Sequence, residues 1–207
     1  MGVVIHRSLN QNGGLKPHLS VRFTSEDGKI KTFAIDTGRT IGKKNVPDAY
    51  LITHAHSDHF GKSAMLAENS YCSSETARAL EIRYERKFNG NIVGVNDSFL
   101  IDDVKVKTFP VFHTAGSNAF YWENENGVRI LVTGDVKDAS KLPKCDILIS
   151  EASYGDPDDG TCYFNEDTDY IKKVVLENIG NKKIAFGAYD FGKSQRIVEL
   201  LRLLGYN

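Results

Sequence analysis

HAHSDH (residues 54–59) is the stretch of the sequence that decides the fold, because it places three of the chain's six histidines within six residues. In an extended segment, residues two apart point to the same side, so His54 and His56 can converge on one ion. A turn after His56 would direct Asp58 and His59 to a second point nearby. Neutral imidazole and carboxylate are ligands that suit zinc, manganese or iron. The segment therefore predicts a metal centre, and its spacing disfavours the alternative, a chance cluster of surface histidines.

Two further ligand-type residues occur where strands are predicted to end. His113 lies in FHTAGS (112–117), and Asp135 closes VTGD (132–135). Taken singly, His113 is typical of a structural histidine, and Asp135 of a turn residue or a helix cap. Their order behind the histidine segment favours a shared site, because a sheet sandwich gathers its strand ends at one edge, where sites are usually built.

The hydrophobic pattern predicts strands in the first part of the chain and alternating helices and strands later. Asp27-Gly28 and Asn126-Gly127 are typical hairpin turns. The predicted strands are Leu19 to Thr24, Lys31 to Ile35, Ala49 to Thr53, Ile92 to Val95, Val104 to Val111, Ala119 to Trp122, Val128 to Thr133, Asp146 to Ser150 and Lys183 to Tyr189. The predicted helices are Gly61 to Glu68, Glu75 to Lys87 with Ser73 or Ser74 as its cap, Thr168 to Asn178 and Gly192 to Leu204. We therefore expect one domain over residues 1–207, an α/β sandwich of two sheets flanked by helices.

Composition and charge are those of an ordinary globular chain. Its 207 residues are 41% hydrophobic and 26% charged, and the formal net charge of −1 gives no general reason to expect nucleic-acid binding. Cys72, Cys145 and Cys162 show no C-x-x-C spacing, which argues against a disulfide framework and for a reducing cytoplasm. Neither a signal peptide nor an apolar run of membrane-spanning length is visible, so we expect a soluble cytoplasmic protein without a membrane partner.

Four segments together resemble the metallo-β-lactamase superfamily: IDTG (35–38), THAHSDHFGK (53–62), FHTAGS and VTGD. The resemblance extends over about residues 18–207, and it implies the αββα sandwich of that superfamily with a centre for two divalent metals, zinc first and manganese or iron as alternatives. It implies that one metal is held by His54, His56 and His113, that the other is held by Asp58 and His59, and that Asp135 bridges both. Asp36 would lie behind these ligands and orient the histidine loop, as hydrogen-bonded partners of metal ligands do.

Two later segments resemble the β-CASP nuclease branch of the superfamily. SEASYG (150–155) is similar to an acidic motif beside the active site, which implies a catalytic role for Glu151 alongside Asp58. AYDFGKSQR (188–196) is similar to a strand-to-helix segment, especially that of archaeal mRNA 3′-end processing factors and ligase-associated exonucleases. A helix start of this kind, which carries Lys193, Ser194 and Arg196, would suit a phosphate or nucleic-acid contact. Singly, these segments could be an acidic strand end and a helix cap, but together and in order they favour the nuclease branch.

The end of the sequence departs from the pattern of the superfamily. Members usually supply a late histidine to the second metal, and no histidine follows His113 here. β-CASP nucleases also continue well beyond the Gly-Lys-x-Gln segment, so we expect the fold to be truncated at its C-terminus, as the front half of a longer enzyme or a shortened member. The second metal would then have only Asp58, His59 and Asp135, and we expect its site to bind weakly or to be empty.

The function predicted from these observations is that of a metal-dependent hydrolase, in the first place a phosphodiesterase or nuclease acting on RNA or DNA. One alternative is a hydrolase of small esters, thioesters, lactams or cyclic phosphates on the same centre, which leaves Glu151 and Lys193 without a role. The other alternative is a non-catalytic or partner-dependent metal-binding domain, in which a homodimer or a partner chain completes the fold and supplies the missing motifs.

Overall fold

The computed structural model describes residues 2–9, 15–38, 46–59, 63–152, 168–179 and 183–206. The chain divides into two compact units, one ending at Glu151 and the other beginning at Ala152. Within the described residues, the first unit contains two β-sheets and one α-helix, and the second contains two α-helices. The predicted features at residues 60–62, 153–155 and Cys162 lie outside the described residues.

The first sheet has six strands that lie side by side in chain order. They are β1 (Val4–Leu9), β2 (Leu15–Thr24), β3 (Ile30–Ile35), β4 (Ala49–Leu51), β5 (Ser70–Cys72) and β6 (Asn91–Ile92). The pairs from β1 to β3 are antiparallel, and those from β3 to β6 are parallel. The carboxyl ends of β3 and β4 therefore meet at one edge of the sheet, and this edge leads into the histidine segment.

The second sheet has five strands in the order β11-β10-β9-β8-β7. They are β7 (Ser98–Ile101), β8 (Val104–Pro110), β9 (Asn118–Glu123), β10 (Arg129–Val132) and β11 (Ile147–Ile149). Neighbours from β7 to β10 are antiparallel, and β10 and β11 are parallel. Buried and exposed residues alternate along β8, as expected for a strand with one face in the core.

Both predicted hairpin turns are present. Between β2 and β3, Gly28 adopts a φ of +79° and its N–H donates to the Ser25 carbonyl oxygen at 2.9 Å. Between β9 and β10, Gly127 adopts a φ of +72° and donates to the Asn124 carbonyl oxygen at 3.0 Å. These turns bring the long strands of each sheet into register.

The main apolar core lies between the two sheets. It includes Val21, Phe23, Phe33, Ile35 and Leu51 of the first sheet and Val104, Val106, Phe120, Trp122, Ile130 and Val132 of the second. At its centre, the Trp122 ring lies 5.2 Å from that of Phe33 and 5.8 Å from that of Phe23, between ring centroids. Contacts between large rings at these separations stabilise the sandwich beyond the burial of their surface.

A second apolar cluster covers the opposite face of the second sheet. Its fully buried members are Val111, Ala119, Tyr121 and Leu131, and Val136, Leu142 and Cys145 pack against them partly buried. Alternate residues of β9 and β10 point to opposite faces of the sheet, so successive residues of each strand belong alternately to the main core and to this second cluster. Both faces of this sheet are thus apolar in part.

The helix of the first unit is α1 (Ser74–Tyr84). Ser73 caps it, because its Oγ accepts a hydrogen bond from the Thr76 N–H at 3.1 Å, and Glu85 ends it in the left-handed conformation. The helix predicted over 61–68 is wrong: the described part of that range holds one turn of 3-10 helix, Ala64–Leu66. The hydroxyl of Ser70 bonds to the Ala64 carbonyl, a contact that ties this turn to β5.

The second unit contains α2 (Thr168–Asn178) and α3 (Lys193–Leu203), close to the two helices predicted there. The strand predicted over 183–189 is wrong, because these residues form no regular element. Three strands were not predicted: β1, β5 and β7. None of the helices in the described ranges combines the length and the apolar composition needed to cross a membrane.

Replacing Leu131 by alanine should destabilise the first unit by roughly 2–5 kcal/mol, because it opens a cavity in the second cluster. The matched control is Leu100→Ala in the same sheet, whose side chain is 65% exposed against 2% for Leu131. The control should change stability by at most about 0.5 kcal/mol. Urea unfolding followed by fluorescence measures both, and equal losses for the two variants would contradict the assignment of this core.

Candidate metal centre

Four ligand-type side chains converge where the strands of the two sheets end. His54 Nε2 lies 3.1 Å from His56 Nδ1, which in turn lies 3.1 Å from His113 Nε2. Asp135 Oδ2 completes the group at 3.2 Å from His113 Nε2 and 3.8 Å from His54 Nε2. We call these four side chains the first ligand group.

The spacing of the first ligand group fits a bound metal ion. Nitrogen and oxygen ligands that lie 2.0–2.2 Å from one tetrahedral ion are separated from each other by roughly 3.3–3.6 Å. All four donor atoms lie within 4.8 Å of one another, with His54 fully buried and the other three partly buried. Three imidazoles and one carboxylate are a donor set for a divalent transition metal. The fold of this chain therefore brings together a His/Asp cluster that can hold such an ion.

Of the second predicted ligand set, His59 contacts the other oxygen of Asp135, whereas Asp58 lies in neither group of ligand-type side chains that the described residues bring together. His59 Nε2 lies 2.9 Å from Asp135 Oδ1 and 3.8 Å from Asp58 Oδ2. Because Oδ2 of the same carboxylate faces the first ligand group, Asp135 presents one oxygen to each histidine set. The Asp58 side chain is 79% exposed, so it is the least constrained donor of the six predicted ligands.

Asp36 and Thr53 connect the histidines from behind. Asp36 accepts hydrogen bonds from the Thr53 N–H at 2.8 Å and from the Thr53 hydroxyl at 2.7 Å, and its Oδ2 lies 3.3 Å from His59 Nδ1. Since the single proton of the Thr53 hydroxyl goes to Asp36, its oxygen can accept from His54 Nδ1, which lies 3.0 Å away. Nδ1 of His54 and Nδ1 of His59 are thus both engaged as donors. The lone pair of His54 Nε2 is left to face the first ligand group, as metal binding requires. His59 Nε2 instead carries a proton that it donates to Asp135 Oδ1 at 2.9 Å, and this proton must leave before His59 can bind a metal.

The charges of the site differ from one histidine to the next. Burial, together with the charge of His59, lowers the pKa of His54 to about 2, so this imidazole is neutral and able to bind a cation. Burial alone would also lower the pKa of His59, but hydrogen bonds to Asp135 and Asp36 outweigh it and raise that pKa to about 10. Burial opposes ionisation of Asp135, yet the hydrogen bond from His59 brings its pKa down to about 2. The carboxylate of Asp135 is therefore charged at neutral pH.

Left-handed backbone turns direct the ligands at three strand ends. Asp36 follows β3 with a φ of +46°, Phe112 follows β8 with +56° and Gly134 follows β10 with +61°. At Gly134 a side chain is also excluded by space, because a Cβ would lie 2.7 Å from the Cβ of Thr53. Glycine is thus required for the close approach of the Asp135 turn to the histidine segment.

Two side chains hold the loops that carry His113 and Asp135. Ser117 Oγ accepts hydrogen bonds from the His113 N–H at 3.1 Å and the Thr114 N–H at 3.2 Å, which closes the FHTAGS loop. Glu151, predicted as a catalytic residue, accepts from the Val136 N–H at 2.7 Å. Its carboxylate therefore fixes the backbone directly after Asp135.

The predicted phosphate contacts Lys193, Ser194 and Arg196 belong to the second unit, at the start of α3. Lys193 Nζ lies 4.9 Å from the ring centroid of Tyr189, and the Gly192 N–H donates to the Gln195 side-chain oxygen at 2.7 Å. Sequence reasoning missed Thr53, Ser117 and Gly134. The only signal that could have found them is their place next to the ligand motifs.

The two-sheet fold of the first unit carries a His/Asp cluster that can hold a divalent metal. Residues 32–174 match the family described as the beta-lactamase superfamily domain, and the chain belongs to that superfamily, whose members are generally hydrolytic metalloenzymes. A crystal structure of a protein of unknown function from Enterococcus faecalis V583 superposes with a TM-score of 0.60 at 16% identity, covering 97% of this chain and 62% of that one. A mutant metallo-beta-lactamase from Cronobacter sakazakii gives 0.50 at 14% identity, over 72% and 76% of the two chains. These similarities confirm the fold that was inferred from the sequence.

Two curated relatives are similar in sequence. The RNase J-like protein of Methanocaldococcus jannaschii is 25% identical in an alignment of 184 positions that covers 74% of this chain and 43% of the relative. The DNA cross-link repair 1A protein of Mus musculus is 25% identical in an alignment of 170 positions that covers 76% of this chain and 16% of the relative. This chain therefore spans less than half the length of each relative.

Replacing Gly134 by alanine should lower the metal content of the purified protein, because the new Cβ meets Thr53 and displaces Asp135. Gly127→Ala is the matched control: Gly127 also has a positive φ, of +72°, but a Cβ there meets nothing within 4 Å. Both variants pay the cost of a left-handed alanine, about 1 kcal/mol, and only the first should lose metal. Elemental analysis after dialysis against zinc measures the metal content of each variant. Equal metal content in the two variants would contradict the role of Gly134.

Replacing Thr53 by valine should weaken metal binding about 10–100-fold, because Asp36 and His54 lose the hydroxyl that orients them. Valine has nearly the same shape, so the packing against Gly134 is preserved. Thr53→Ser keeps the hydroxyl and should bind metal within about threefold of the parent. Competition with a chromophoric chelator measures the affinities. A valine variant that binds as tightly as the parent would show that the hydroxyl has no such role.

Proposed function

We propose that this chain is a metal-dependent phosphodiesterase that acts on RNA or DNA through a centre for two divalent ions. The observation that carries the proposal is the carboxylate of Asp135, which lies between two histidine sets. Its Oδ2 is 3.2 Å from His113 Nε2 and its Oδ1 is 2.9 Å from His59 Nε2. When bound there, two divalent ions supply Lewis acidity, an activated water and neutralisation of the charge that develops at phosphorus.

The names of the relatives support nucleic acid as the substrate and partner. One relative is described as RNase J-like and the other as a DNA cross-link repair protein. The similarity of SEASYG and AYDFGKSQR to β-CASP segments points to the same branch of the superfamily. Both relatives are longer than this chain, so we propose, by similarity, that the chain shares their action on nucleic acid.

Each ligand has a proposed role that follows from its surroundings. His54, His56 and His113 hold the first ion, which we propose to be zinc, with manganese or iron as alternatives. His59 and Asp58 would hold the second, and Asp135 would offer one carboxylate oxygen to each ligand set. The second site should bind more weakly, because Asp58 is 79% exposed and lies 3.8 Å from His59 Nε2. Ordering an exposed side chain costs conformational entropy that a preformed ligand does not.

The chain's own acidic groups would handle the proton and the geometry of attack. Asp58 has an exposed carboxylate beside the second ligand set, and it can orient the attacking water or accept its proton. Glu151 is engaged by the Val136 N–H, and we propose that it positions Asp135. Lys193, Ser194 and Arg196 remain proposed contacts to the nucleic-acid backbone.

Replacing His56 by alanine should reduce phosphodiester hydrolysis by at least roughly 100-fold, since the loss of a direct ligand exceeds the 10–100-fold typical of an outer partner. His6→Ala, an exposed histidine on β1, is the matched control and should keep full activity. The assay uses zinc-loaded full chain with single-stranded RNA, single-stranded DNA, a simple phosphodiester and a thioester. Initial rates and metal content are measured for the parent and both variants.

The outcomes of this panel separate the three functions considered for the chain. Hydrolysis of RNA or DNA that depends on His56 supports the proposal. Hydrolysis of the thioester alone would replace it with a small-molecule hydrolase. Metal binding without turnover of any substrate would favour a partner-dependent domain and overturn the proposed activity of the chain by itself.

A further inference from the structure

Phe112 has a backbone conformation that bulky residues rarely adopt. Its φ is +56°, in the left-handed region, where an aromatic side chain is a genuine outlier and glycine has no steric cost. Burial of the ring does not offset this backbone strain, because Phe112 is 52% exposed and belongs to neither of the two apolar cores described above. Its neighbour Val111 is fully buried. Folding alone therefore does not explain why an aromatic residue stands at this position.

The surrounding backbone prevents Phe112 from relaxing to an ordinary conformation. On one side, the Val111 carbonyl oxygen accepts hydrogen bonds from the Lys137 N–H at 3.0 Å and the Asp138 N–H at 3.2 Å. On the other side, the His113 N–H donates to Ser117 Oγ at 3.1 Å. Strained residues that are fixed in this way by their surroundings cluster at functional sites. The strain thus points to a role for the ring itself.

Phe112 is next in the chain to a member of the first ligand group. It directly precedes His113, whose Nε2 lies 3.1 Å from His56 Nδ1 and 3.2 Å from Asp135 Oδ2. Consecutive Cα atoms are about 3.8 Å apart, so the ring is anchored one residue away from a member of the first ligand group. A substrate whose phosphate lies at the metal centre would therefore have its neighbouring groups within reach of this ring.

We infer that Phe112 is a substrate-positioning residue, whose exposed ring stacks on the nucleobase next to the phosphodiester bound at the metal centre. This inference rests on the proposed function and narrows it to single-stranded nucleic acid, because the faces of bases within a duplex are already stacked on one another. Every base has a π-face, so stacking on an exposed ring binds single strands with little regard to their sequence. The ring would hold the strand in register while the ligand groups act on the phosphate.

The test compares a single-stranded oligouridylate or oligothymidylate with an oligonucleotide of equal length made of abasic residues. Both substrates have the same phosphate backbone, but only the first has bases. Phe112→Leu keeps an apolar side chain and the left-handed backbone, and removes the aromatic face. We expect its kcat/KM on the base-bearing strand to fall about tenfold, mainly through KM, with no change on the abasic strand.

Phe112→Gly removes the ring and relieves the backbone at the same time. We expect a thermal stability no lower than that of the parent and the same selective loss on base-bearing strands. The matched control is Glu85→Gly at the end of α1, where φ is +52° and the backbone is relieved in the same way. This control should leave the kinetics on both substrates unchanged.

The possible results distinguish this inference from the proposed function. If the parent cleaves the base-bearing strand and the Phe112 variants cleave it equally well, the inference is overturned and the proposed function stands. Equal losses on both strands would also overturn it, because the ring would then act on the metal centre and not on a base. If the zinc-loaded parent cleaves no nucleic acid, the proposed function fails first, and the inference fails with it.

Discussion

The carboxylate of Asp135 is the point on which the site depends. One of its oxygens faces His113 and His54, and the other forms a 2.9 Å contact with His59. Its negative charge lies beside partly and fully buried imidazoles, where it would offset part of the positive charge of a cation held among them. Because His59 donates to it, Asp135 stays ionised despite its burial. This carboxylate makes one centre out of ligands from both sheets.

The rest of the first unit supports this arrangement by controlling where strands end. Asp36, Phe112 and Gly134 all turn the chain through left-handed conformations within two residues of the end of a strand. At Asp36 the turn serves the network behind His54 and His59, and at Gly134 it allows close contact with Thr53. At Phe112 the same turn carries an exposed ring one residue before a ligand in the chain. The aromatic core around Trp122 keeps the two sheets at the separation that these contacts need.

Much of the fold could be predicted, because long strands and their turns have a clear period and clear glycine signals. β8 alternates between buried and exposed residues over the first five of its seven residues, and both the Asp-Gly and the Asn-Gly turn are where the pattern indicated. β5 and β6 have three and two residues, too few to show any period, so the first was missed and the second was drawn too long. The predicted helix near Ala64 and the strand over 183–189 failed because short apolar runs suit several structures, and tertiary contacts choose among them.

The sequence by itself determined which residues can bind a metal, since imidazole and carboxylate chemistry and the HAHSDH spacing are local properties. It also indicated their order and their positions after strands. Only the tertiary structure decided which atom of each ligand faces the centre, because that depends on partners far away in the chain. His56 meets His113 across 57 positions, and Thr53 bonds to Asp36 across 17. Such contacts follow from sheet register and packing, which a local sequence pattern does not predict.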